Sequence, residues 1–145
     1  MKSYIGLKAV KAEPEQRKDI DTGLQVDGYK VVYKDGYESW SPKETFEEAY
    51  HKSGNLSFSE ALYLLKKGER IARKGWNGKG MFLTLQNGSE VDGSLMRNDN
   101  AKSFYGDSKV KICPHIDMKA ADDSYVVGWL ASQTDLLAED WCVVD

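Results

Sequence analysis

Two cysteines in 145 residues, Cys113 and Cys142, are too few for a disulfide framework. They read as small buried hydrophobes in a reducing compartment. No apolar run approaches the roughly 20 residues of a membrane span, and Met1-Lys2-Ser3-Tyr4-Ile5-Gly6 lacks the apolar core of a signal peptide. The expected location is therefore the cytoplasm, with no membrane partner. Basic residues are also short: 20 Lys and Arg stand against 23 Asp and Glu, for a net charge of −3. Such a chain lacks the electropositive surface that grips polymeric nucleic acid. A small anionic nucleotide is a different matter, because a few amides and one or two cations hold it in a pocket.

What is present is a globular composition, 41% hydrophobic and 30% charged, with four tryptophans and eight tyrosines. Tyr29 to Lys34, the pair Asp35-Gly36 and Tyr37 to Trp40 predict a β-hairpin with a two-residue type I′ turn. Ser41-Pro42-Lys43-Glu44 predicts a helix capped by Ser41 that runs to about Tyr50 and buries Phe46, Ala49 and Tyr50. Tyr4 to Ala12 is a candidate third strand. His51 to Asn55 interrupts every apolar pattern, so the expected modules are residues 1–52 and 56–145.

The second module opens on another capping box, Ser57-Phe58-Ser59-Glu60. Ala61, Leu62, Leu64 and Leu65 give an apolar helical face, and Gly68 gives a stop. Strand-like runs follow at Arg70–Lys74, Met81–Leu85, Val110–Ile116, Tyr125–Leu130 and Trp141–Val144. The expected fold is α+β, a small antiparallel β-sheet with one packed helix, preceded by the hairpin and helix module. The long polar stretch between Gln86 and Lys109 predicts a functional or mobile connection.

Three clusters carry candidate chemistry. Arg73-Lys74-Gly75-Trp76-Asn77-Gly78-Lys79-Gly80 combines cations, free amides and an indole on which a base or ribose can stack. An ordinary tight turn with a core-plugging tryptophan explains the same residues, and the spacing fits neither the Gly-x-Gly-x-x-Gly nor the Walker phosphate cradle. Trp129-Leu130-Ala131-Ser132-Gln133-Thr134-Asp135 offers hydroxyl, amide and carboxylate groups for a ribose or base edge. Alternatively, Ser132 or Thr134 simply caps a one-turn helix. Cys113-Pro114-His115 shows neither zinc-like spacing nor the in-line contact of a nucleophile pair, so no metal or cofactor is expected. Asp122-Asp123 and Glu139-Asp140 read as turn or surface charge.

The stretch from Leu56 to Asp145 resembles the second Thoeris anti-defence family of phage proteins. The resemblance rests on Ser57-Phe58-Ser59-Glu60-Ala61-Leu62, Ala72 to Phe82, Met118-Lys119-Ala120-Ala121-Asp122, Gly128 to Asp135, and Leu137-Ala138-Glu139-Asp140-Trp141. It implies a sponge, not an enzyme, that assembles as a homotetramer in the infected host's cytoplasm. The sponge would sequester glycocyclic ADP-ribose made by TIR-domain proteins, and in some relatives cyclic dinucleotides as well. It further implies that Trp76 stacks on the ligand, that Asn77 hydrogen-bonds it, and that Arg73, Gly78, Met118, Trp129, Ser132, Gln133, Thr134 and Asp135 complete the pocket. Asn87 to Ser108 falls outside the matching pattern. Residues 1–52 instead resemble small phage-encoded proteins that end in a Gly-Tyr-x-Ser-Trp-Ser-Pro-Lys segment like Gly36 to Lys43.

Overall fold

The computed structural model describes residues 1–145 apart from Asn77 and Lys79. The fold is α+β, built from short antiparallel strands and small helices. Two compact units, Met1–Lys52 and Ser53–Asp145, divide the chain.

In the first unit β1 (Lys11–Pro14), β2 (Arg17–Lys18), β3 (Gln25–Val26), β4 (Gly28–Val32) and β5 (Glu38–Pro42) precede helix α1 (Lys43–Ala49). The sheet order is β1-β4-β5, with β2 and β3 forming a separate ribbon. The third strand thus forms later than Tyr4–Ala12 predicts, where Lys11 to Pro14 pair with Tyr29 to Val32.

The hairpin itself departs from the expected type I′ turn. Gly36 has φ +85°, but Asp35 is not in the left-handed region. The Gly36 amide donates to the Tyr33 carbonyl, and the Tyr33 amide donates to the Tyr37 carbonyl, both at 2.9 Å. That is the three-residue loop in which a glycine bulge follows a type I turn, and it spares Asp35 a strained φ. Asp35 instead accepts the Tyr37 amide through its side chain.

Ser41 does not cap α1. It stays paired in β5 opposite Tyr29, and Pro42 takes the N-cap position with no side-chain bond. Phe46 is buried as expected, stacked on Tyr29 at 4.3 Å and on Tyr50 at 4.9 Å between ring centroids. Ala49 is exposed, because the helix stops there and the chain leaves extended at Tyr50.

The second unit opens with α2 (Phe58–Lys66), β6 (Arg70–Arg73), β7 (Phe82–Gln86) and β8 (Ser89–Asp92). A 3₁₀ turn at Gly93–Leu95 leads into α3 (Asp99–Tyr105), β9 (Lys109–Ile112), β10 (His115–Lys119), β11 (Tyr125–Val126), α4 (Gln133–Leu137) and β12 (Trp141–Val144). Five strands form one antiparallel sheet in the order β11-β10-β7-β6-β12. The capping box of α2 is complete: the Ser57 hydroxyl accepts the Glu60 amide, and the Glu60 carboxylate accepts the Ser57 amide at 2.7 Å. Ala61 and Leu65 on that helix meet Leu56, Ile71, Leu83 and Trp141 to form the core. Along the free edge of β12, Trp141 pairs with Leu56 through both backbone bonds, and the Val143 amide donates to the Ser53 hydroxyl.

Two of the expected strands are broken here for physical reasons. Val110–Ile116 is two strands rather than one, because Pro114 has no amide for a ladder and breaks the run. The half before the break, β9, pairs with β8, while β10 enters the main sheet. The segment between Gln86 and Lys109 is accordingly an ordered ribbon and helix, with Asn98 capping α3 through the Ala101 amide.

The run from Tyr125 to Leu130 is also interrupted. Tyr125 and Val126 lie opposite Lys119 and Met118, so regular pairing would set Gly128 opposite Ile116. Instead the Trp129 amide donates to the Ile116 carbonyl at 2.6 Å, and Gly128 takes φ +84°. One extra residue has been inserted, which is a β-bulge.

Replacing Ser57 with alanine removes one side of the capping box. The expected cost is about 1 kcal/mol, read as a lower urea midpoint with an unchanged slope.

Candidate functional site

The two sequence clusters meet at one end of the sheet, joined by a charged clamp. Arg73 is the last residue of β6, and its guanidinium forks between two carboxylates. Nη1 donates to Asp135 Oδ1 at 2.8 Å, and Nε donates to Asp140 Oδ1 at 2.9 Å. The side chains are only 16% exposed for Arg73 and 13% for Asp135, so the pair is shielded from bulk water. Asp140 was expected to be turn or surface charge. Its second oxygen instead accepts the Gly75 amide at 2.8 Å, which pins the start of the Trp76 loop.

Asp135 is a junction. Its Oδ1 also lies 3.3 Å from the donating Trp76 Nε1, its Oδ2 accepts from the Ser132 hydroxyl at 2.9 Å, and its carbonyl accepts from Trp141 Nε1 at 3.0 Å. Ser132 is the N-cap of α4, accepting the Asp135 amide at 3.0 Å, which accords with the capping reading of this segment. Gln133 and Thr134 in the same turn are exposed.

Three indoles and a phenyl ring pack around this clamp. Trp141 is fully buried at their centre, 5.4 Å from Trp76 and 5.4 Å from Phe58 by ring centroids. Trp76 and Trp129 are each half-buried and meet edge to face at 6.4 Å and 66°. Such contacts favour a fixed ring geometry beyond the burial itself. The bulge at Gly128 turns Trp129 toward the same side as Ile116, which packs on the core.

Gly78 sits where only glycine fits, since a Cβ would fall within 2.6 Å of the Met81 and Ala121 side chains. Met118, on β10 opposite Leu83, packs against the core from a half-buried position. Asn77 lies outside the described residues. The clusters at Arg73–Gly78 and Trp129–Asp135 are therefore in contact. What sequence reasoning missed was Asp140 and Trp141, the two residues that join them; the signal available was an acid and an indole immediately after an apolar helical turn.

Electrostatics follow from this geometry. The hydrogen bonds that Arg73 donates to Asp140 and Asp135 raise its pKa. The Arg73 hydrogen bond, reinforced by the Gly75 amide, lowers that of Asp140. For Asp135, burial works upward, but the bonds from Arg73, Ser132 and Trp76 outweigh it and the net shift is downward. Among the described residues, no group of three or more His, Cys, Asp or Glu is arranged to hold a metal ion. No helix there is long and apolar enough to cross a membrane.

Residues 56–144 match the family model of the Thoeris anti-defense 2-like domain. A protein named Thoeris anti-defense 2 from Bacillus phage SP01 is 37% identical over 89 residues, spanning 61% of this chain and 94% of that relative. The chain belongs to the Thoeris anti-defense 2-like family.

Two depressed carboxylates make the second unit acid-sensitive. Their contribution is complete above the ordinary aspartate value of 3.8 and is lost as pH falls through their lower folded values. The double variant Asp135→Asn, Asp140→Asn should therefore show a flatter dependence of stability on pH below about 5. Asp135→Ala, which leaves Arg73 half-paired, should cost on the order of 3 kcal/mol in denaturant unfolding.

Proposed function

We propose that the second unit captures a small cyclic nucleotide immune signal intact, as a phage anti-defence sponge acting in the host cytoplasm. The carrying observation is the half-exposed pair Trp76 and Trp129, held edge to face beside a carboxylate and guanidinium clamp in a chain of the Thoeris anti-defense 2-like family. The first-choice ligand is glycocyclic ADP-ribose from TIR-domain proteins, with cyclic dinucleotides as a second class.

In this reading Trp76 and Trp129 supply flat apolar surface for the base and ribose. Asn77 and Gln133 and Thr134 offer polar edges, Gly78 and Met118 shape the floor, and Arg73, Ser132 and Asp135 hold the walls. The last three spend their hydrogen bonds on one another, so their part is chiefly to fix the indoles. Each stacked base contributes roughly 1 to 3 kcal/mol, and each charge-assisted bond roughly 1.5 to 3. Two stacks and three such contacts together supply roughly 7 to 15 kcal/mol before ordering costs, against the about 12 kcal/mol that nanomolar binding requires. A sponge requires slow release and no bond cleavage.

Self-association, with a homotetramer as the proposed state, fits the apolar side chains left in solvent near the site. Val127, Leu130 and Leu137 are 72%, 92% and 72% exposed. Covering them with a second copy removes apolar area from water and encloses a ligand in a drier environment, where its polar contacts strengthen.

Calorimetry with glycocyclic ADP-ribose should give tight binding, and heat denaturation of the complex should release unmodified ligand in stoichiometric amount. Recovery of a cleavage product would overturn the sponge reading in favour of an enzyme. Absence of heat with every cyclic nucleotide would favour a protein-binding adaptor. Trp76→Ala should weaken binding by about 5- to 150-fold, the range expected for one lost stack. Leu130→Asp should shift sedimentation toward the monomer and weaken binding in parallel; full affinity in a clean monomer would count against an enclosed site.

A further inference from the structure

Trp129 packs on the core side of the sheet, one register position past where regular pairing would put it. Side chains alternate between faces along a strand, so a one-residue slip moves every later side chain to the opposite face. Tyr125 and Val126 pair with Lys119 and Met118; in unbroken register Trp129 would stand opposite His115, on the face away from α2. With one residue inserted at Val127-Gly128 it stands opposite Ile116, within 6.4 Å of Trp76.

A bulge leaves a backbone amide without a ladder partner, to be met by a side-chain acceptor. Asp117 provides it. Its Oδ1 accepts the Gly128 amide at 2.9 Å, and the residue is only 1% exposed, the one buried charged side chain among the described residues. His115 Nε2 lies 3.5 Å from the same oxygen, on the same face of β10. Burying a carboxylate in the middle of a sheet is costly unless its bonds are specific, and the specific bond here is to the inserted residue.

We propose that Asp117 is a positioning residue for the binding site: by holding the Gly128 bulge it selects the face on which Trp129 stands, and so builds the second aromatic wall for a nucleobase. The assignment rests on the reading of Trp76 and Trp129 as the walls of the site. Asp117 itself touches neither indole in any hydrogen bond and acts through the backbone.

The test compares Asp117→Asn, Asp117→Val and deletion of Val127 in the full chain, each with and without Trp129→Ala. Near-ultraviolet circular dichroism without ligand reads the packed indoles. Calorimetry with glycocyclic ADP-ribose reads the site. Asparagine keeps an oxygen acceptor and should retain the wild-type indole signal and affinity within about threefold. Valine should lose the indole signal and weaken binding at least tenfold, with little further loss when Trp129→Ala is added, because both changes remove the same wall. Deleting Val127 restores regular register and should do the same while far-ultraviolet signal persists.

A valine variant that is folded, keeps the wild-type indole spectrum and loses affinity additively with Trp129→Ala would overturn the proposal. Should valine prevent folding, the deletion variant decides: an unchanged indole spectrum there overturns it, and a lost one sustains it. The spectroscopic arm needs no ligand. A wild-type protein that fails to bind therefore removes the sponge reading while leaving the control of Trp129 by Asp117 separately decided.

Discussion

Arg73 between Asp135 and Asp140 is the interaction on which the second unit's site depends. A single guanidinium ties the end of one strand to the first turn of a short helix and to the approach of the last strand, residues 62 and 67 positions away. A partly buried ion pair of this kind is weak evidence of stability, because desolvation offsets much of the attraction. Its value is geometric. Arginine's planar fork accepts only a narrow range of carboxylate placements, and both acids carry a second bond, to Ser132 and to Gly75. The rings of Trp76, Trp129 and Trp141 pack against a frame that has few other arrangements available.

Trp141 extends the same constraint into the core. Its ring is completely buried, its Nε1 donates to the Asp135 carbonyl, and its backbone pairs with Leu56. Polar clamp and apolar core thus share one residue. A perturbation at the site is felt in packing, and a cavity in the core is felt at the site.

The local signals in the sequence were sufficient for the capping box at Ser57, the apolar face of α2 and most strands of the main sheet, and they narrowed the cap of α4 to Ser132 or Thr134. These features depend on residues a few positions apart. The two clusters around Trp76 and Trp129 were also recognisable by composition, though not their contact. What escaped was decided by distant partners or by single-residue register: Asp140 looks like surface charge until Arg73 is placed beside it, and the bulge at Gly128 is signalled only by a glycine inside a run that otherwise reads as a continuous strand. Pro114 carries the signal for a break that a single strand over Val110–Ile116 ignores. Its effect on Val110–Ile116 follows from the missing amide, but the pairing of the first half with Ser89–Asp92 lies beyond local pattern.

The bond between Val143 and Ser53 joins residues 90 positions apart. Closing so long a loop costs only slightly more entropy than closing a shorter one, since each doubling adds about 0.6 kcal/mol. The kinetic consequence is larger. Contacts of high sequence separation form late, so the frame around the indoles is completed only when nearly all of this unit has already collapsed. Binding competence should then arrive in a single step with the native state, and a partially folded chain has no weaker version of the site to offer.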